Sequence, residues 1–443
     1  MRTERIEPYY LERRKNIFAQ GEPSAAWVFF SPEIAPRNDD VSHPFRQNSN
    51  YYYLTGFDAP DSISIITYDQ ETSAPVWHMF IDPKDAEKEL WEGPMYGLEG
   101  VKEVFGVDQS YPLISFAEKA PELLQNHKHI FYRMGQSLHQ DQHLHSVLAK
   151  AVRKGGRTGK AYPTVADPQS VLGSMRLIKA EEEINLMRKA STASAHAHKK
   201  IIQDLKINMN EREVQGQIDA AFRSQGCSRN GYPSIVASGQ NATCLHYTNN
   251  NQGCTEGDLL LIDAGGEYGY YTADITRTFP VGDGFSKEQE ALYDIVLLAQ
   301  KECIAAVAPG TTFVELQALA VDILTQGMID LGLIAEDKDV YIKEKKYRSF
   351  YPHNLGHWLG MDVHDVGAYY DHAGKPVAFK KGMVCTIEPG IYIQPHDTQF
   401  PEAYRGIGIR IEDDILVTAK GHEVLTKDVP KEKEDILALR ASA

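Results

Sequence analysis

At 443 residues the chain exceeds the length at which a single hydrophobic core usually stops growing, so two domains are expected. With 42% hydrophobic and 24% charged residues, no low-complexity tract and no fixed-period repeat, it reads as an ordinary globular protein. The net charge of −15 opposes nucleic acid and an anionic membrane surface as partners, because both need clustered Lys and Arg.

The opening run MRTERIEPYYLERRKNIF is charged throughout and lacks the apolar stretch of a secretory signal. No apolar run approaches the roughly 18 residues that suggest a membrane span. Candidate strands follow at Trp27 to Phe30, Tyr51 to Leu54, Ser62 to Tyr68, Val76 to Ile81 and Ile130 to Met134. Ile114 to Asn126 and Ser137 to Val152 have helical spacing. These elements predict an N-terminal α/β domain over residues 1–170. A basic, Gly-containing segment, Arg153 to Lys160, and the region of Pro163 and Pro168 mark its end.

Residues 171–443 form the second predicted domain. It begins with an amphipathic helix, Glu181 to Leu205, with Ile184, Met187, Ile201 and Leu205 on one stripe. A second helix, Glu211 to Ser224, stops before Gly226. Ser286 with Gln289, and Thr312 with Glu315, have capping-box spacing and start two more helices, the later one running to about Leu331. Helices and antiparallel strands in separate blocks predict an α+β fold. The five cysteines, Cys227, Cys244, Cys254, Cys303 and Cys385, form no C-x-x-C pair and fit reduced thiols in the cytoplasm.

LLLIDAGGEYGYYTADITRTF, from Leu259 to Phe279, reads as a strand hairpin. A turn centred on Tyr268 and Gly269 sets Asp263 directly opposite Asp274, where like charges repel and a cation belongs between them. The hairpin alone leaves open a plainer reading, with one Asp capping a turn and the other solvated. Further along, HNLGHWLGMDVHD holds His353, His357 and His364, and MVCTIEPGIY brings Glu388 to a strand end. In GIGIRIEDD, Ile407, Ile409 and Ile411 alternate with Gly408, Arg410 and Glu412, so the last two face whatever hollow the other side lines. Asp263, Asp274, Glu388 and Glu412 bring four negative charges, which two divalent cations would neutralise. His357, centrally placed, would complete the set. Oxygen-rich ligation favours Mn, Co or Fe over a thiolate-type zinc site. The H-x-x-x-H spacing of His353 and His357 is no mononuclear zinc motif, since Asn354 stands where that chemistry needs Glu.

The LIDAGGEYGYYTADITRTF, HNLGHWLGMDVHDVG, TIEPGIYI and GIRIEDD blocks resemble the pita-bread metallopeptidases, a family that includes methionine aminopeptidase, prolidase and aminopeptidase P. FRQNSNYYYLTGFDAPDS and ELWEGPMYG, in the first third, look like the N-terminal domain of aminopeptidase P, which methionine aminopeptidases lack. The resemblance implies a pair of divalent metals, Mn in many relatives with Co, Fe and Zn as alternatives, held by Asp263, Asp274, His357, Glu388 and Glu412. It implies cleavage of the bond before a penultimate proline by a metal-bridged hydroxide, with Glu388 as general base. His246, His353 and His364 match the family's substrate-side histidines. Arg410 and Tyr392 are expected to orient a ligand carboxylate or the substrate. Trp91 is either a wall of the proline pocket, contributed across a subunit contact, or a packed core residue. Relatives are often homodimers or homotetramers built through the N-terminal domain. Asn354 departs from the Gly usual in relatives without removing a ligand. The rivals are a prolidase, confined to Xaa-Pro dipeptides, and a non-catalytic binding protein on the same fold. The short span from Glu388 to Glu412 and the ELWEGPMYG match favour the aminopeptidase, and the filled ligand positions oppose the binding protein.

Overall fold

The computed structural model describes residues 6–22, 24–156 and 163–442. Within the basic Arg153 to Lys160 segment, residues 157–160 lie outside that range. The chain divides into two compact units, Met1–Gly173 and Ser174–Ala443.

The first unit is built on a six-stranded mixed sheet. Its strands run, edge to edge, Gln109–Tyr111, Ala74–Ile81, Ser62–Asp69, Ala25–Phe30, His129–Phe131 and Thr164–Ala166. Ser62–Asp69 pairs antiparallel with both Ala74–Ile81 and Ala25–Phe30, and the other three pairings are parallel. One face packs Val28, Ile65, Phe80 and Ile130 against Phe116, Ala120 and Leu124 of the Phe116–Leu124 helix and Leu144 and Val147 of the Leu138–Gly156 helix. Each such side chain contributes about 1.5–3 kcal/mol by leaving water.

Two predicted strands differ in the structure. Tyr51 to Leu54 lies inside an α-helix, Ser49–Thr55. Aromatic residues favour strands only weakly, whereas Asn48 accepts hydrogen bonds from the amides of Asn50 and Tyr51, and Gly56 closes the helix with φ +67°. The strand expected over Ile130 to Met134 is short, His129–Phe131.

In the second unit the long helix spans Glu181–Asp204 and buries Ile184, Met187 and Ile201, with Leu205 just past its end. The Glu211–Ser224 helix is followed by Gly226 at φ +89°. Both capping boxes form, at Ser286 with Gln289 and at Thr312 with Glu315, and start the Lys287–Ala305 and Phe313–Asp330 helices. These helices cover a three-stranded sheet, Ile235–Ser238, Leu259–Asp263 and Thr276–Pro280, and the pair Gly390–Tyr392 with Gly408–Arg410. A further three-stranded sheet joins Val384–Ile387, Asp413–Val417 and His422–Val424. Thr278 and Thr276 lace the first sheet to the 410–412 segment: Thr278 Oγ1 donates to the Arg410 carbonyl at 2.9 Å, and the Glu412 amide donates to the Thr276 carbonyl at 3.0 Å.

The register of the Asp263 hairpin corrects the sequence expectation. Tyr268 pairs with Tyr271, so the turn is Gly269–Tyr270 rather than Tyr268–Gly269, and Asp263 lies opposite Thr276 instead of Asp274. Both turn residues have positive φ, +56° and +72°, the type I′ geometry that matches strand twist. Gly265 takes the place opposite Asp274, where an added Cβ would lie 1.8 Å from the Ala273 carbonyl oxygen.

Candidate metal centre

The two aspartates meet through a third residue. Tyr232, from the NGYPS turn, points its hydroxyl at Asp263 Oδ1 (2.6 Å) and Asp274 Oδ1 (2.5 Å). A phenol carries one proton and donates to one carboxylate at a time, so the second contact calls for a cation or a proton between the oxygens. Burial and the neighbouring Asp263 push Asp274 well above the usual carboxylate range.

His357 reaches the same point from the 353–365 loop. Its Nδ1 lies 3.1 Å from the Trp358 carbonyl and donates to it, which leaves the Nε2 lone pair 3.4 Å from Asp274 Oδ2 and 3.5 Å from Glu388 Oε1. A lone pair facing two carboxylate oxygens is repulsive unless a cation or a proton lies between them. Glu412 accepts from Thr276 Oγ1 at 2.6 Å through Oε2, while its Oε1 is buried and has no hydrogen-bond partner. Burial, with Asp274 and Asp263 beside it, holds Glu412 well above its ordinary range. Glu388 is raised in the same direction by burial and then by Glu412. Ligand atoms of Asp274, His357 and Glu412 all fall within 4.8 Å of one another. The orphaned oxygen, the inward lone pair and the mutually repelling carboxylates fit divalent cations.

Around this cluster opens a cavity of about 920 Å³. Asp263, Asp274, His357, Glu388, Glu412, Arg410, His246, His353 and His364 all line it. Arg410 is 4% exposed, which rules out the solvated salt-bridging face that strict alternation alone would suggest. It donates from Nη2 to Asp263 Oδ2 (2.6 Å), from Nη1 to the Tyr392 hydroxyl (3.0 Å) and from Nε to Thr276 Oγ1 (3.1 Å). Tyr392 in turn lies 2.8 Å from His353 Nε2, while His353 Nδ1 lies 2.8 Å from the Asn354 carbonyl. Burial, then Arg410, lowers His353 to about 4, so it is neutral at pH 7. His364 packs edge-on against His357 with ring centres 4.4 Å apart. His246 is exposed at the cavity mouth. Trp91 belongs to the first unit, on the Ala86–Glu92 helix, and at 82% exposure it is not a core tryptophan.

Sequence reasoning missed several supports. Tyr232 and Thr276 have no acidic or metal-ligand character, and only the turn residues around Tyr232 hinted at a fixed place. The run Glu412-Asp413-Asp414 was the overlooked signal. Asp413 turns away from the cavity to Arg277 (2.7 Å), with both side chains fully buried, and also meets Lys431 (2.7 Å). Burial alone would raise Asp413, but these cations hold it at about 2. Asp414 accepts the Asp274 amide at 3.1 Å. Below the loop, Arg176 and Lys179 clamp buried Asp365 at 2.6 and 3.0 Å, fixing the residue next to His364.

An α+β frame that gathers carboxylates and a histidine around one hollow defines a metal-dependent hydrolase of the pita-bread class. Residues 185–419 match metallopeptidase family M24, and residues 10–132 match the aminopeptidase P N-terminal domain. The chain belongs to metallopeptidase family M24. It is 40% identical over 430 residues to the Xaa-Pro aminopeptidase of Haemophilus influenzae, covering 96% of this chain and 95% of that one. The structure of proline aminopeptidase P II from Yersinia pestis superposes with a TM-score of 0.94 at 39% identity, covering 98% of this chain and 99% of that one. An alanine variant of Escherichia coli aminopeptidase P, solved in complex with substrate, superposes with a TM-score of 0.93 at 36% identity, with 99% of each chain covered. Among the described residues, no helix is long and apolar enough to cross a membrane.

Proposed function

We propose that this enzyme is a metal-dependent aminopeptidase that releases the first residue from peptides whose second residue is proline. The observation that carries the reading is the convergence of Asp263, Asp274, His357, Glu388 and Glu412 on one cavity, with a buried Glu412 oxygen that no group among the described residues satisfies. The names of the relatives supply the proline requirement.

These five residues would hold two divalent cations, Mn by our reading, with the Asp274 and Glu412 carboxylates offering oxygens to both. Cations there supply Lewis acidity, which lowers the pKa of a water from 15.7 toward about 7 and polarises the scissile carbonyl. Glu388 takes the proton of the attacking water and returns it to the leaving proline nitrogen. His246 and His364 donate hydrogen bonds to the oxygen on which charge develops, or to the leaving group. His353, neutral and held by Tyr392, lines the place of the proline ring. Arg410 fixes the Asp263 carboxylate through a charge-assisted bond. Proline lacks the amide N–H that many peptidases position, so ring contacts must replace it. Trp91, exposed on its short helix, supplies one such wall from a second copy in a homodimer or homotetramer formed through residues 1–170. By our reading the enzyme works in the cytoplasm, a compartment that its five free thiols suit.

The test is hydrolysis of Xaa-Pro peptides two to six residues long by metal-reconstituted protein. Peptides of three or more residues are expected to be cleaved at the first bond, and activity confined to dipeptides would make it a prolidase. Asp274→Ala should lose bound metal and reduce turnover by more than the roughly 10–100-fold that loss of a ligand's hydrogen-bond partner costs. Wild-type turnover in that variant would overturn the site.

A further inference from the structure

One side of the cavity differs in character from the rest. Its lining includes Phe313, Val314, Tyr369, Tyr370 and Pro376, none of them charged. Val314 is 45% exposed, Tyr369 38% and Tyr370 55%, so three of the molecule's exposed large apolar side chains edge this one hollow. A soluble chain rarely groups such residues beside a site unless something covers them in use.

The ledge is preformed. Phe313, the first residue of its helix, packs against Trp358 and Tyr369 with ring centres 4.7 and 5.4 Å apart. The Tyr369 hydroxyl accepts the Trp358 amide at 3.1 Å, one residue from His357. Tyr370 pairs with Pro376 across a short turn, in which Asp371 Oδ1 accepts the amides of Ala373 and Lys375 at 2.9 Å each. Buried Trp358, the residue after the histidine of the metal cluster, therefore backs the ledge, and Tyr369 and Phe313 packed on it face the cavity.

We propose that Val314, Tyr369 and Tyr370 form an apolar subsite for the side chain that follows the proline, so that among longer Xaa-Pro peptides those with an aromatic or large aliphatic third residue are preferred. This rests on the aminopeptidase reading above, in which His353 lines the place of the proline ring; from there we run the rest of the peptide past His364 onto the ledge. Continuity of the ledge with the cavity argues for this occupant, as does the volume, which lies near the top of the roughly 300–1,000 Å³ range of small-ligand pockets and leaves room beyond a dipeptide. The contact is apolar and half open, so it acts on binding more than on the chemical step.

The experiment compares Ala-Pro-Phe, Ala-Pro-Gly and Ala-Pro as substrates of the metal-loaded full chain, and Pro-Phe against Pro-Gly as product inhibitors. We expect kcat/KM roughly tenfold higher for Ala-Pro-Phe than for Ala-Pro-Gly, carried by KM, with a matching preference for Pro-Phe as inhibitor. Tyr370→Ser combined with Val314→Ser should bring both ratios close to one, and Tyr370→Phe should keep them. Equal kcat/KM for the two tripeptides in the wild type removes the subsite while leaving the peptidase reading intact. Ratios untouched by the double substitution also overturn it, as does a drop in molar mass by light scattering with selectivity unchanged, which assigns the ledge to a subunit contact. If none of the three peptides is cleaved, the aminopeptidase reading falls and takes the subsite with it.

Discussion

Arg410 Nη2 lies 2.6 Å from Asp263 Oδ2, and the arginine is buried. Its other two nitrogens are engaged by Tyr392 and Thr276, so three directions of one guanidinium are used at once. Breaking a buried pair by removing one partner costs about 3–5 kcal/mol, because the other charge is left behind. Arg410→Ala should therefore lower thermal stability sharply. Arg410→Lys keeps the charge but supplies one point donor in place of a planar fork. We expect it to fold and to lose at least about tenfold in kcat/KM, measured for the metal-saturated enzyme on an Xaa-Pro tripeptide. Wild-type kcat/KM in the lysine variant would show that geometry at Asp263 is unimportant.

Glu211 governs the segment that carries His246. Its Oε1 accepts the Ser238 amide (2.7 Å) and Asn241 Nδ2 (3.0 Å), and its Oε2 accepts the Tyr247 hydroxyl (2.8 Å) and the Gln252 amide (2.9 Å). The carboxylate is fully buried at the first position of its helix, where the N-terminal dipole favours negative charge. Glu211→Gln turns one acceptor into a donor facing donors. That should cost about 2–4 kcal/mol and loosen the 238–252 loop. Denaturant melts should register the loss, and kcat should fall more than KM changes, because the His246 hydrogen bond serves charge that develops in the transition state. An unchanged melt would mean that water replaces the lost acceptor.

Stability should depend on pH through His78 in the first unit. Its Nε2 lies 3.3 Å from Thr67 Oγ1, its Nδ1 has no partner, and burial lowers it to about 4. The unfolded histidine titrates near 6.5 and so binds more protons than the folded one between pH 4 and 6.5. The neutral ring's contribution is complete above pH 6.5 and is lost as pH falls toward 4, by on the order of 3 kcal/mol. His78→Gln cannot titrate, so its melting temperature should fall less than that of the wild type between pH 7 and 4. Parallel curves for the two proteins would assign the acid sensitivity elsewhere.

What the sequence makes legible follows from the range of the forces involved. The capping boxes at Ser286 and Thr312 and the alternation from Ile407 to Glu412 are local, set by residues within four positions. The acidic residues Asp263, Asp274, Glu388 and Glu412 stand out by their places in strand-like blocks, whereas the cavity they share is visible only in the structure. The Tyr51–Leu54 helix was not legible, since aromatic side chains fit a strand or a buried helix equally and Asn48 and Gly56 decide. The hairpin register was misread by one turn position, because Tyr270 adopts the left-handed conformation that Gly usually supplies. Tyr232, Glu211 and Asp365 stayed hidden for a different reason. Their partners lie 31, 36 and 189 positions away in the chain, and nothing in the local pattern points to them.

Metal removal should invert the effect of a substitution at Asp274. With cations bound, Asp274 neutralises charge, and its loss weakens metal binding. Without them it is one of several carboxylates in a buried hollow, held far from its ordinary ionisation by burial and by Asp263. Asp274→Asn keeps the shape of the protonated acid and removes the repulsion. In EDTA the asparagine variant should therefore melt above the metal-free wild type. With excess Mn the order should reverse, because only the wild type gains the RT ln(1 + [L]/Kd) of binding, about 2.7 kcal/mol at a hundredfold excess over Kd. Two melts of each protein suffice, with EDTA and with Mn. If neither protein shifts between the two conditions, the acidic hollow holds no cation, and the oxygen of Glu412 that lacks a partner must be satisfied by water instead.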